Sequence, residues 1–228
     1  ENLRIGIVDE FNIDVLSKES QTLFNESLKV FESLGASIHK ISLPNINQSV
    51  PTYYVIAPAE CSSNLSRYDG VKFGHRSIEA EDLESLYINS RSEGFGDEVK
   101  RRILIGTYVL SAGYYDAYYK KAQQVRRLIK NDFEEAFKEV DLIVSPTSPS
   151  EAFEFGSKGT QDPTELYLED LYTISSNLAG LPALSMPHGF VNGLPVGIQL
   201  IGNYLEESMI LNFANRFQQS TDFHNAKP

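Results

Sequence analysis

Three consecutive cationic residues lie where a positive charge suggests ligand binding. Lys100, Arg101 and Arg102 fall early in a predicted helix, where a positive charge opposes the helix macrodipole. One of them would then be retained there to bind an anionic group, and the alternative interpretation is a solvated helix face. Asp170, close in sequence to the tyrosine Tyr172, has a similar claim as a ligand-binding residue, with the same alternative.

Signatures of several other chemistries are absent from the sequence. It contains no Gly-x-Ser-x-Gly elbow, no glycine-rich phosphate loop and no dinucleotide-binding fingerprint. The four histidines are scattered, and none stands at metal-ligand spacing from another His, Cys or carboxylate motif, so no metal site is predicted. Cys61 has no base near it in sequence and is interpreted as a small buried residue rather than a nucleophile.

A tyrosine-rich segment suggests a stacking surface at first sight. Tyr114, Tyr115, Tyr118 and Tyr119 recur at the spacing of a helix face. Stacked rings bind nucleic acid when a basic groove accompanies them, but this chain carries a formal net charge of −11. We therefore expect these rings to pack in the core with their hydroxyls hydrogen-bonded.

The first elements of the chain form the pattern of a βαβ unit. An apolar run over residues 3–8, an amphipathic stretch from about residue 14 to Gly35, and a second apolar run over residues 36–43 predict a strand, a helix and a strand. The two strands should be parallel, with a right-handed crossover.

Helices and strands continue to alternate along the rest of the chain, whereas residues 66–96 are interpreted as an irregular, exposed stretch. Helical patterns cover residues 51–65, 97–110, 114 to about 140, 163–179 and 206–219, and strand patterns cover residues 141–145, 183–186 and 194–201. An Asn192-Gly193 pair joins the last two strands and predicts a tight hairpin. The sequence therefore predicts a single α/β domain.

Length and composition exclude some broad classes of protein. With 228 residues and 41% apolar residues, the chain can bury a sizeable core, and one cysteine cannot form an internal disulfide. The single cysteine favours a reducing compartment, so the cytoplasm is expected, with an organellar matrix as the alternative. No apolar run is long enough to span a membrane. The chain begins without Met on a strand-like run, so we expect it to be the later part of something longer.

Several phrases of the sequence resemble the A subunits of the glutamyl-tRNA(Gln) and aspartyl-tRNA(Asn) amidotransferases, a branch of the amidase signature family. Ser-Arg-Tyr-Asp-Gly at residues 66–70 and Gly-Tyr-Tyr-Asp at residues 113–116 indicate this branch. The phrases at residues 177–182 and 193–199 indicate only the wider family. The resemblance covers nearly the whole chain and is carried by residues 53–60, 63–70, 93–96, 113–119, 177–182 and 193–199.

This resemblance implies an activity and a set of partners. The A-type subunit hydrolyses glutamine and supplies ammonia to a B-type subunit, which holds the tRNA and uses ATP and Mg²⁺ to convert Glu-tRNA(Gln) to Gln-tRNA(Gln), or Asp-tRNA(Asn) to Asn-tRNA(Asn). A small C-type subunit is expected as well, and no cofactor is expected on this chain. The resemblance also implies an α/β fold with a mixed, twisted sheet covered by helices, of which residues 1–228 would be the C-terminal part, incomplete as a domain.

The family's catalytic machinery is a nucleophilic serine, a second serine in a cis peptide and a lysine, carried by a Gly/Ser-rich loop and an upstream segment. The pairs Ser62-Ser63 and Ser175-Ser176 lack the surrounding glycines and fall in predicted helices. We therefore expect no catalytic residue in this chain and no activity from it alone. Two alternatives are a general amidase that needs no partner and a non-catalytic α/β ligand-binding domain.

Three positions match residues that line the glutamine pocket in the family. The resemblance assigns Arg102 to the α-carboxylate through a bidentate hydrogen bond, Asp170 to the α-ammonium, and Tyr53 to a position near the reacting amide. A free amino acid presents one anion and one cation, and a selective pocket therefore needs one charge of each sign.

Overall fold

The computed structural model describes residues 3–11, 15–156 and 169–227 of the chain. Its contacts divide the chain into two compact units. The first, which we call the sheet unit, comprises Glu1–Val50 and Arg126–Pro228, and the second, the helical unit, comprises Pro51–Val125. That residues 1–228 belong to one domain stays a prediction.

The sheet unit is built on a mixed five-stranded sheet with the strand order β2-β1-β3-β5-β4. Strands β1, β2 and β3 are mutually parallel, and β5 pairs antiparallel with both β3 and β4. The predicted βαβ unit and the predicted mixed sheet are therefore confirmed. The strands are β1 (Arg4–Val8), β2 (Ser37–Ile41), β3 (Leu142–Pro146), β4 (Ala183–Val191) and β5 (Leu194–Gly202).

The predicted hairpin at Asn192-Gly193 is also confirmed. Both residues have positive φ angles, 50° for Asn192 and 78° for Gly193. Positive φ at both central positions is the geometry that matches the twist of two antiparallel strands, and Asn and Gly adopt it at low cost. The turn sets the register of β4 and β5 next to it, and a bulge between Pro187 and Gly189 then shifts the pairing by one residue, so that Gln199 lies opposite Ser185.

The helices follow the predicted positions closely, apart from one helix that the sequence patterns do not predict. The described helices are α1 (Lys18–Ser33), α2 (Ser49–Leu65), α3 (Leu83–Gly94), α4 (Asp97–Leu110), α5 (Lys121–Glu139), α6 (Ile174–Ala179) and α7 (Glu207–Ser220), with a 3₁₀ turn at Ile46–Gln48 and a π-helical turn at Tyr115–Lys120. The hydroxyl of Ser17 accepts a hydrogen bond from the Ser20 amide and so caps the start of α1.

The core of the sheet unit lies between the sheet and helices α1 and α7. Phe31 is completely buried, and its ring lies 5.1 Å from that of Phe213 and 5.0 Å from that of Phe217. Ile198 and Leu200 of β5 are fully buried in the same cluster. Apolar contact on this scale is the main stabilising term of such a unit.

Helix α3 corrects the prediction that residues 66–96 are irregular throughout. The apolar residues of α3 form no clean stripe, since Leu83 is 62% exposed while Leu86 is buried, so periodicity does not reveal the helix. A local signal is present instead. Asp82 accepts a hydrogen bond from the Ser85 amide, the Ser85 side chain bonds back to the Asp82 amide, and this capping box starts the helix.

The expectation that the tyrosines pack in the core is wrong. Tyr114, Tyr115 and Tyr118 are 41%, 46% and 44% exposed. They lie in and next to the π-helical turn, where the rings pack on one another instead of on a core, with 6.0 Å between the centroids of Tyr114 and Tyr118.

Part of the predicted helix over residues 163–179 lies outside the described residues, as does residue 14 at the predicted start of α1. Within the described part, residues 169–173 form turns and α6 begins only at Ile174. The described residues include no helix long and apolar enough to cross a membrane.

Candidate functional site

Arg102 and Tyr53 meet in the helical unit. Arg102 lies on α4 and donates a hydrogen bond of 3.0 Å from Nη1 to the hydroxyl oxygen of Tyr53 on α2. Its guanidinium carbon also lies 6.0 Å from the ring centroids of both Tyr53 and Tyr54. These two rings pack edge to face at 5.0 Å. A cation near aromatic faces is held by the ring quadrupoles as well as by the hydrogen bond.

The acidic residues of the first turn of α4 neutralise the cations that follow. Glu98 accepts a hydrogen bond of 3.0 Å from Nε of Arg102 and also pairs with Arg101, while Asp97 lies 3.6 Å from the ammonium of Lys100. Acidic residues in a first turn also complement the helix dipole. The cations are therefore compensated within the helix, which explains how a helix can carry three of them near its N-terminus.

The side chain of Arg102 is more buried than that of Arg101. Its side chain is 30% exposed, against 68% for Arg101, because the two tyrosine rings cover it. The hydrogen bond with Tyr53 raises the pKa of Arg102 above its usual value, and the bond with Glu98 acts in the same direction against partial burial. Arg102 is thus a fixed cation at a half-covered position.

A close approach between α2 and α4 brings these residues together. A Cβ atom at Gly106, one turn beyond Arg102, would lie 2.0 Å from the carbonyl oxygen of Pro58, so only glycine fits there. Beside this contact, the hydroxyls of Ser62 and Thr107 are hydrogen-bonded at 2.9 Å. The distance between α2 and α4 therefore depends on Gly106.

The hydrogen-bonding capacity of Arg102 is partly used. Nε is bonded to Glu98 and Nη1 to Tyr53, whereas Nη2 makes no hydrogen bond with any of the described residues. A carboxylate can therefore bind Nη2 directly. A bidentate pair also needs Nη1 or Nε, so Tyr53 or Glu98 would share its nitrogen with the ligand.

Asp170 lies in the sheet unit, in the turn before α6, and is half-buried. Its carbonyl oxygen accepts hydrogen bonds from the amides of Thr173 at 3.1 Å and Ile174 at 3.2 Å. The ring of Tyr172 is buried behind this turn and meets Phe11 edge to face at 5.4 Å. Of the three predicted pocket residues, the structure thus brings Arg102 and Tyr53 together and places Asp170 in the other unit.

The two serine pairs lie in helices, as predicted. Ser62 and Ser63 belong to α2, and Ser175 and Ser176 belong to α6, where both are buried. Ser62 is bonded to Thr107, and the Ser176 hydroxyl donates to the carbonyl of Thr173. The Ser62 hydroxyl therefore joins α2 to α4, and the Ser176 hydroxyl is bonded to the backbone at the start of its own helix.

Comparison with known proteins shows the family to which the chain belongs. The family model described as Amidase matches residues 1–211 of the chain. The chain belongs to the amidase family. Its fold agrees, because the crystal structure of the A subunit of glutamyl-tRNA(Gln) amidotransferase from Thermotoga maritima superposes with a TM-score of 0.72 at 39% sequence identity. That match covers 96% of this chain and 43% of the Thermotoga chain.

Two curated relatives of this amidase-family chain have a higher sequence identity. Both are named as the A subunit of glutamyl-tRNA(Gln) amidotransferase: the protein from Cellvibrio japonicus is 64% identical over 222 residues, and the one from Saccharophagus degradans is 59% identical over 226 residues. The matches cover 97% and 99% of this chain but 46% of each relative. The chain therefore spans about half the length of the curated relatives it matches.

Sequence reasoning missed several residues that build the Arg102 position in this amidase-family chain. Glu98 was detectable, because a carboxylate four residues before an arginine on a helix forms an ion pair. Gly106 was not, because a glycine inside a helix has many explanations until the neighbouring helix is known. Tyr54 was hidden for the same reason, since its contact with Arg102 depends on how α2 and α4 pack.

Proposed function

We propose that this chain is part of the glutamine-hydrolysing A-type subunit of a tRNA-dependent amidotransferase. The observation that carries the proposal is the 64% identity, over nearly the whole chain, to a protein named as the A subunit of such an enzyme. Relatives this similar share fold and residue environments, and the pairing of Arg102 with Tyr53 is a ready binding position for an amino acid carboxylate. In this role the chain contributes to the recognition of glutamine.

Arg102 would bind the α-carboxylate of glutamine. Nη2 donates one hydrogen bond, and Nη1 donates the second while Tyr53 rotates or shares that nitrogen. Each charge-assisted hydrogen bond of this kind contributes about 1.5–3 kcal/mol. Because Glu98 stays bonded to Nε, the guanidinium keeps its orientation when the ligand arrives.

Asp170 would bind the α-ammonium, and Tyr53 would lie near the reacting amide. The half-buried position of Asp170 reduces the screening of its charge by water. A carboxylate that binds the α-ammonium would favour a free amino acid over a peptide-bound glutamine, whose α-nitrogen is an uncharged amide.

The nucleophile would come from another part of the same polypeptide. This chain spans 46% of the length of the Cellvibrio and Saccharophagus relatives, and its two serine pairs are engaged in helices. We therefore place the serine, the cis-serine and the lysine of the family outside these 228 residues and expect the chain to be inactive alone.

The amidation step would belong to partner proteins. A chain with a net charge of −11 is poorly suited to bind tRNA phosphates, so tRNA, ATP and Mg²⁺ would be held mainly by the B-type subunit, with a small C-type subunit completing a cytoplasmic complex. Ammonia released from glutamine would pass to the B-type subunit and convert Glu-tRNA(Gln) to Gln-tRNA(Gln), or Asp-tRNA(Asn) to Asn-tRNA(Asn).

Ammonia release from glutamine tests this proposal. It is measured for the 228-residue chain and for the full-length protein, each supplied with its B-type and C-type partners. We expect release only from the full-length protein. Release from the 228-residue chain would contradict the placement of the nucleophile, and no release from either would contradict the glutaminase function. Hydrolysis by the full-length protein without its partners, on amides other than glutamine, would identify a general amidase.

A further inference from the structure

A buried glutamine lies behind the turn that carries Asp170. Gln199, on β5, is only 4% exposed, and its side-chain amide donates two hydrogen bonds from Nε2. One goes to the backbone carbonyl of Tyr172 at 2.8 Å and the other to the hydroxyl of Ser145 at 2.9 Å. Both hydrogens of the amide are therefore used, one on the turn and one on the sheet.

At the sheet, the Gln199 amide is bonded to a buried serine. Ser145 lies on β3 directly opposite Gln199 in the antiparallel β3–β5 pair and is 1% exposed. Its hydroxyl donates in turn to the carbonyl of Pro146 at 3.0 Å. The amide of Gln199 is thus oriented by two neighbouring strands of the sheet.

The second hydrogen bond of the Gln199 amide, to the Tyr172 carbonyl, restrains the short turn that carries Asp170. Two peptide bonds separate Asp170 from Tyr172, and the Tyr172 ring is completely buried against Phe11. The carbonyl of Asp170 is fixed by the amides of Thr173 and Ile174. With this carbonyl, the Tyr172 ring and the Tyr172 carbonyl all held, the backbone of Asp170 has little freedom. Of these restraints, the hydrogen bond from Gln199 is the one that comes from the sheet.

We propose that Gln199 is a positioning residue for the recognition of the α-ammonium group of the amino acid substrate, acting through the Tyr172 carbonyl on the turn that carries Asp170. The inference rests on the proposed role of Asp170. Without the amide donor, the carbonyl of Tyr172 would lose the hydrogen bond that joins it to β5, and the turn would shift with it. A shift of this kind weakens substrate binding and leaves the reacting groups in place.

The direct test is Gln199→Met in the full-length protein within its complex. Methionine has nearly the length of glutamine but no N–H donor, so it leaves the packing largely intact. We expect the KM for glutamine to rise about tenfold while kcat stays within about twofold. Gln199→Asn is the second variant, in case Gln199→Met does not fold. Its amide is one methylene too short to reach Tyr172, and the same change in KM is expected.

Ser145→Ala is the matched control. It removes the other hydrogen-bond partner of the same amide, at an equally buried place, and leaves the bond from Gln199 to the Tyr172 carbonyl. If Gln199 served only the stability of the sheet, both variants would change KM alike. We expect Ser145→Ala to lower the melting temperature with a KM within about twofold of the wild-type value. An equal rise in KM for both variants would overturn the inference.

A double-mutant cycle with Asp170→Ala separates this inference from the pocket itself. Because Gln199 acts through Asp170, adding Gln199→Met to Asp170→Ala should raise KM by less than about twofold further. Full additivity would overturn the inference, as would an unchanged KM in Gln199→Met beside a raised KM in Asp170→Ala, which would leave the pocket intact. An unchanged KM in Asp170→Ala would refute the role of Asp170 and this inference with it.

Discussion

The sheet unit and the helical unit differ in how much of their large apolar surface they bury. In the sheet unit, large apolar side chains from the central strands and from α1 and α7 are fully buried together. In the helical unit, many large apolar and aromatic side chains are exposed, with Ile78 at 98% and Leu104 at 70%. The exposed set includes Tyr68, Val71, Phe73, Leu83, Tyr87, Ile88, Ile105, Tyr108, Tyr114, Tyr115 and Tyr118.

The sheet unit is thus stabilised by its own buried core, whereas the helical unit leaves many of its apolar side chains on the surface. A contiguous buried core stabilises the strands and holds buried polar groups such as Gln199 in close-packed surroundings. The helical unit buries fewer large apolar side chains, among them Ile56 and Val109, and adds the close helix contact at Gly106 and the surface pairs around Arg102.

The largest expected difference between the two units is in the free energy of unfolding after one phenylalanine in each is replaced by alanine. Phe31→Ala, in the core of the sheet unit, should lower the free energy of unfolding by about 3–5 kcal/mol, because it removes a buried ring and leaves a cavity. Phe73→Ala, at a side chain 57% exposed in the helical unit, should change it by less than about 0.5 kcal/mol. Urea denaturation followed by circular dichroism measures both. Equal losses for the two variants would contradict this difference between the two units.

A smaller effect should come from protonation inside the sheet unit. His188 is 4% exposed and its Nδ1 lies 3.0 Å from the hydroxyl of Ser27. Burial lowers the pKa of His188 from 6.5 to about 4, and a backbone hydrogen bond with Leu23 only partly opposes the shift. The lowered pKa means that the unfolded chain binds more protons between pH 6.5 and 4. The contribution of His188 to the free energy of unfolding is therefore fully present above about pH 6.5. It is lost progressively as the pH falls toward 4, by about 3 kcal/mol in all.

The variant His188→Gln isolates this contribution from the carboxylates that titrate in the same range. Free energies of unfolding are measured for the wild type and the variant at several pH values between 7 and 4. The wild type should lose more stability than His188→Gln, and the difference should grow steadily below about pH 6.5. Parallel pH profiles would show that the His188 ring keeps its ordinary affinity for protons in the folded state.

Periodicity and turn chemistry are sufficient to predict most of the sheet unit. The apolar runs of β1 and β2 and the Asn192-Gly193 turn are local signals, and each agrees with the fold around it. Helix α3 is missed because its start depends on a capping box and its apolar residues form no stripe. The tyrosines are misplaced because their spacing is the same on a buried face and on an exposed one.

The candidate site is less accessible to sequence reasoning. Arg102 stands out as a cation in an unfavourable place, but its distinction from Arg101 requires the two tyrosine rings of α2, which lie nearly fifty residues earlier in the chain. Tyr53 is assigned only through the family resemblance. The sequence places Gln199 in a strand, and nothing in its neighbours along the chain indicates the carbonyl of Tyr172 that it holds.

The kinetics of glutamine hydrolysis in Arg102→Ala, measured in the full-length protein within its complex, test the central claim most directly. Arg101→Ala is the matched control, because Arg101 is the adjacent residue, pairs with the same Glu98 and is more exposed. The account predicts that Arg102→Ala raises the KM for glutamine at least about tenfold, equivalent to roughly 1.4 kcal/mol, and that Arg101→Ala leaves it within about twofold. An unchanged KM in Arg102→Ala would remove Arg102 from the pocket and contradict the account.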